Sequence, residues 1–174
     1  LWLGGAVENR FDASRSNQFF DFAPTGPDGT VADNNAISGT LNSNEINQIY
    51  WMVTSGQGIL AGSKGGEWLI QASALNDPIS PTNIQANEVT HYGCAHVPPV
   101  KAGIATVLVQ RHQRKVMEFL SDSFSGKYSA PDLSEATKHF TSGKIAELAY
   151  QEELSPMIWA RAAGGIYGIT YRRV

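Results

Sequence analysis

Between Thr90 and Val100 the chain reads THYGCAHVPPV, which places two of its four histidines and its single cysteine within six residues. His91, Cys94 and His96 are zinc-ligand types, and a cysteine beside a histidine is also the raw material of a thiol nucleophile with its base. Geometry weakens both. On an extended strand Cys94 and His96 share a face with Tyr92 while His91 points to the other. A fourth ligand would have to come from His112, His139 or a carboxylate, and no spacing recommends any of them. No third group is marked to orient an imidazole toward the sulfur. The expectation is structural: Glu88 to Ala95 as a strand, Gly93 allowing close backbone approach, VPP beginning a stiff connection, and Cys94 buried, unreactive and without metal.

The remaining candidates carry little catalytic signal. Glu152 and Glu153 fall in an expected turn and Asp122 stands alone, so no carboxylate pair is set up for acid-base work. GSKGGEW is no phosphate loop, since it lacks GxxxxGK[ST] and no helix follows. Its Gly65 and Gly66, like Gly164 and Gly165, are expected to sit in hairpin turns and to supply positive φ there. Arg111, His112, Arg114 and Lys115 make one dense basic feature, at the turn of a hairpin. Such tips are ordinarily solvated, but Arg111, Arg114 and Lys115 could meet nucleic-acid phosphates if the tip faced a lumen. The chain is expected to be no enzyme and to need no cofactor.

These residues are carried by strands. Ile49 to Val53, Ile59 to Ser63 and Glu67 to Ala72 are β-type runs separated by TSGQG and KGG, an antiparallel meander. Ile145 to Tyr150, Met157 to Ala162 and Ile166 to Arg172 repeat it, the last with period-two alternation. Between them Ala105 to Gln110 and Lys115 to Leu120 form a hairpin. Its centre at Gln113 lies 48 residues after Gly65 and 51 before Gly164. Meanders returning at that interval predict an all-β chain forming part of a β-propeller, with about three blades over residues 45–174. The alternative is a β-sandwich, which spaces its strands more evenly, at roughly 8 to 12 residues. The Gly, Asn, Ser and Asp-rich residues 1–44 read as a lead-in, with extended pieces at Leu1 to Leu3, Phe19 to Phe22 and Ile37 to Leu41. One helical insertion is expected at 132–140, capped by Asp132 with Glu135 at the capping-box position.

With 42% hydrophobic and 17% charged residues the chain can bury a sizeable core. Nothing in a net charge of −3 suggests a general nucleic-acid or anionic-membrane binder, so any nucleic-acid contact is expected to be local. No apolar run approaches a membrane span, and LWLGGAVENR lacks the pattern of a classical signal peptide. The start at Leu1 suggests a piece of a longer protein. Three blades cannot close a ring. The apolar positions Trp68, Ile70, Met117, Phe119, Tyr167 and Ile169 are therefore expected to leave an uncovered face and a tendency to self-associate.

In order along the chain, NEINQIYWMV, LAGSKGGEWLI, SPTNIQANEVTHYGCAHVPPV, VLVQRHQRKVMEFL, YSAPDLSEATKHF and AELAYQ resemble the propeller region of tailed-bacteriophage tail proteins, the tail nozzle, tail tubular or packaged-DNA-stabilisation family. The resemblance runs from about Glu45 to Arg173. It implies a virion structural protein, assembled in the bacterial host cytoplasm as a ring of identical copies, a hexamer in the family, and joined to adjacent tail or adaptor proteins. Such a ring helps retain the packaged genome and forms the channel for passing double-stranded DNA, held without sequence preference and without any membrane. It implies no catalytic residues, and it makes Cys94 a small buried residue of a strand. Two other classes compete with it. One is a propeller module binding glycans or proteins on exposed Trp2, Trp51, Trp68 or Trp159; the other is a metal-dependent hydrolase using His91, Cys94 and His96.

Overall fold

The computed structural model describes residues 1–74, 76–121, 128–135 and 143–171. Among them the chain is all-β, in four antiparallel sheets. The first is β1 (Trp2–Gly4), β2 (Arg10–Ala13) and β3 (Ile37–Thr40). The second is β4 (Ile49–Ser55), β5 (Gly58–Ser63), β6 (Glu67–Ala72) and β7 (Ile84–Thr90). β8 (Val100–Ala102), β9 (Ala105–Val109), β10 (Val116–Ser121) and β11 (Tyr128–Ser129) form the third, and β12 (Ile145–Gln151), β13 (Met157–Ala162) and β14 (Gly165–Thr170) the fourth. In every sheet each strand lies beside its sequence neighbour, and no sheet closes on itself.

The chain divides into two compact units, Leu1–His91 and Tyr92–Val174. In the first, the two sheets share an apolar core of Phe11, Ile37, Leu41, Ile49, Trp68 and Ile70, among others. Residues 1–44 are thus built into the same unit as β4–β7, and β1 lies against β4. In the second, Val107, Val109 and Val116 from β9 and β10 meet Ile145, Ile158 and Ala160 from β12 and β13. The side-chain alternation of a strand puts these residues on one face. Leu108, Met117 and Phe119 occupy the other face of β9 and β10 and are buried as well. β9, ATVLV, is buried along its whole length, which is why it reads as a continuous apolar run rather than an alternating one.

Several expectations change. Phe19 to Phe22 are not extended. Backbone hydrogen bonds from Gln18 N to Arg15 O and from Asp21 N to Gln18 O fold this stretch into turns that expose Phe19 and Phe20. The extended piece is instead Arg10–Ala13, whose only core residues are Phe11 and Ala13, too few for a visible period. β7 begins at Ile84 and ends at Thr90, so Glu88 to Ala95 is not one strand. Of the expected helix, Pro131 and Leu133 add to the edge of β10 instead, through Glu118 N–H to Pro131 O at 2.9 Å and Leu133 N–H to Val116 O at 2.8 Å. Asp132 does accept the Ser134 N–H at 2.9 Å, as a cap would, but on extended chain bridged to Met117. Residues 136–140 lie outside the described residues. Trp68, Ile70, Met117 and Phe119 are buried, which leaves only Tyr167 and Ile169 half-covered from the set expected to form an open face.

The glycines of the two turns differ in their reasons. Gly164 has φ +104, where a side chain is strained. Gly65 and Gly66 do not have positive φ; close approach makes them glycine. Ser63 Oγ donates to Gly66 O at 2.8 Å and ties the turn shut. A Cβ at Gly66 would stand 2.6 Å from Thr90 O and 2.5 Å from Glu88 Oε1, at the point where the β6–β7 register shifts. Gly66→Ala is expected to lower stability by about 1–3 kcal/mol by overpacking, read as a shift of the urea midpoint.

Candidate functional site

The stretch around Cys94 and the basic tip meet in the second unit. Ala95 N–H donates to Val109 O at 2.8 Å and Arg111 N–H to Gly93 O at 3.0 Å, while Cys94 bridges Gln110. Gly93 adopts φ +68 to enter this pairing. Gly93 to Ala95 are therefore a short rung laid along the end of β9, and Cys94 is fully buried beneath it. His96 is exposed. His91 lies at the end of the first unit, 83% exposed, with Nδ1 2.9 Å from Glu88 Oε1. Among the described residues no group of three or more His, Cys, Asp or Glu is placed to hold a metal ion.

The β9–β10 turn is closed by Gln110 N–H to Lys115 O at 3.0 Å and Gln113 N–H to Gln110 O at 2.7 Å, with Gln113 at φ +60. Gln113 O accepts Ile145 N–H at 2.8 Å, which anchors the tip to the start of β12. Arg111, His112 and Arg114 are exposed there. Lys115 differs from the expected free charge: its Nζ lies 3.2 Å from Asp132 Oδ2. Partial burial pushes the Asp132 carboxyl up, but hydrogen bonds from Ser134 and the Lys115 ammonium outweigh it and hold the group below the usual carboxylate range. The tip thus presents two exposed guanidinium groups, those of Arg111 and Arg114, beside a Lys115 ammonium held by Asp132. Arginine at an exposed turn suits phosphate contact without sequence readout.

Two buried carboxylates escape a motif search because they sit inside apolar strands. Glu67, 1% exposed, accepts a hydrogen bond from Thr90 Oγ1 at 2.5 Å. Glu118 accepts one from Tyr171 OH at 2.5 Å. The only sequence signal for either is an acid inside an apolar run, GGEWLI and VMEFL. Each joins neighbouring chain segments rather than lining a cleft. A half-open cleft of about 670 Å³ does exist in the first unit, between the β4–β5 turn and the chain after β6, lined in part by Gln57, Gln71, Ser73 and Asp77. Among its described lining residues Asp77 is the only titratable one.

Of the tryptophans, Trp51 and Trp68 are buried, and Trp2 and Trp159 are half-buried, with Trp159 Nε1 donating to Gln151 Oε1 at 3.1 Å. Glu152 and Glu153 are exposed in the β12–β13 turn, and Asp122 lies outside the described residues. No described helix is long and apolar enough to cross a membrane. Compared with protein-family models and with curated proteins, the chain matches none.

Proposed function

We propose that the chain is a structural part of a tailed-bacteriophage virion, contributing blades of a β-propeller to a ring of copies at the tail through which packaged DNA is held and released. The observation that supports this most is the strand order. Four up-and-down meanders follow one another along the chain, two of them four-stranded, with every strand beside its sequence neighbour. Propeller blades are built this way, whereas β-sandwiches usually route strands by Greek-key crossings. The ordered resemblance from Glu45 to Arg173 supplies the virion setting. In that setting Arg111 and Arg114 contact DNA phosphates, and the chain carries out no catalysis. His91, Cys94 and His96 give a hydrolase little support, being respectively exposed on Glu88, buried and exposed. The buried Trp51 and Trp68 likewise give a glycan platform little support.

The test is to raise antibody against the chain and apply it, gold-labelled, to purified tailed phage particles whose genome encodes the chain. Label at the tail end is the expected result. Label confined to host cells, or to particle heads, would overturn the proposal.

A further inference from the structure

The free side of β14 is unlike the other sheet edges. Sheet edges invite pairing with another chain, and proteins blunt them with short strands, charges or cover. β1, β3, β8 and β11 have four residues or fewer, β7 carries Glu88, β12 carries Glu147, and β4 lies against β1. Among the described residues β14 has none of these devices. Gly165–Thr170, GIYGIT, is six residues long, contains no charge and no proline, and among the described residues pairs with β13 alone. Ile166 on it is 67% exposed. Its sheet has three strands where β4–β7 and β8–β11 have four.

We infer that β14 pairs antiparallel with β14 of a second copy of this chain, joining two three-stranded sheets into one of six strands. The self-complementarity of the strand selects this occupant. A twofold axis normal to the sheet keeps each face on its own side, so residues oppose only residues of the same parity. In the register centred on Tyr167, Tyr167 faces its own equivalent, Ile166 faces Gly168, and Ile169 faces Gly165. Each isoleucine meets a glycine, and no like charges are brought together. Gly168 already lies under neighbours in its own sheet: a Cβ there would stand 2.6 Å from Met157 Cε and 2.9 Å from Trp159 Cζ3. Ile166 of the second copy would therefore settle on an apolar shelf. The contact goes beyond the tail proposal and does not depend on it.

The experiment is light scattering and sedimentation equilibrium of the 174-residue chain across a concentration series. A monomer–dimer equilibrium is expected. Ile166→Lys and, on the same face, Thr170→Lys should each weaken it by roughly tenfold or more while the thermal melt of the monomer is kept. Leu154→Lys, at a fully exposed site in the β12–β13 turn, should leave it unchanged. Under mild oxidation Tyr167→Cys should form disulfide-linked dimers and Ile169→Cys should not; the buried Cys94 contributes little background. A wild-type chain that stays monomeric, dimers indifferent to both lysines or equally lost with Leu154→Lys, or cross-linking through Ile169→Cys as readily as through Tyr167→Cys would each overturn it.

Discussion

Phe11→Ala is expected to cost about 3–5 kcal/mol, a large part of what holds the first unit folded. Phe11 is 2% exposed in the middle of the shared core. Its ring lies over Gly39, the residue directly opposite on β3, and packs at 6.2 Å from the Trp2 ring. Gly39 has no side chain with which to fill the space. The substitution therefore combines the lost transfer energy with a cavity that persists. Urea unfolding followed by tryptophan fluorescence measures the loss. Hydrogen exchange should then show earlier opening in residues 1–91 than in the wild type.

Ile158→Ala is expected to cost about 2–5 kcal/mol and reports on the second unit. Ile158 is fully buried on the middle strand of its sheet, opposite Tyr150 on β12 and Ile169 on β14. It faces the cluster that includes Val107, Val109 and Val116 of the neighbouring sheet, so truncating it loosens the contact between two sheets rather than within one. Leu154→Ala, at a fully exposed turn position, should change stability by no more than about 0.5 kcal/mol. Comparable midpoint shifts for the two substitutions would mean that the shared core contributes little to holding these sheets together.

The central strands of the fold could be seen in the sequence because they are apolar runs of strand length bounded by turn residues. Ile59, Trp68, Val107 and Ile158 stand in such runs between glycine- or polar-rich turns, and the structure keeps all of them in strands. The edge and connecting strands could not. Arg10–Ala13, Ile84–Thr90 and Val100–Ala102 bury only one or two side chains, or half-bury a few, and owe their extended form to the strand beside them. The segment around Asp132 makes the same point: its composition satisfies a helix cap, but Pro131 to Leu133 take backbone partners on β10, a turn follows at Ser134, and residues 136–140 lie outside the described residues.

The candidate site divides in the same way. Strand alternation is expected to separate His91 from Cys94, but no single strand carries both: β7 ends at Thr90, Gly93 takes φ +68, and Cys94 is bridged to Gln110. The burial of Cys94 under the end of β9 and the engagement of Lys115 by Asp132 depend on residues far apart in the chain, as does the hydrogen bond from Tyr171 to Glu118. So do the glycines. Gly164 is required by its own φ, a local demand that a turn motif announces. Gly66 is required by Thr90 and Glu88 of a strand more than twenty residues away in sequence, and only the pairing of β6 with β7 brings those atoms to it. Local backbone preference and strand period are written residue by residue, whereas which strand becomes a neighbour, and what it presses against, is decided by the sheets as they pack.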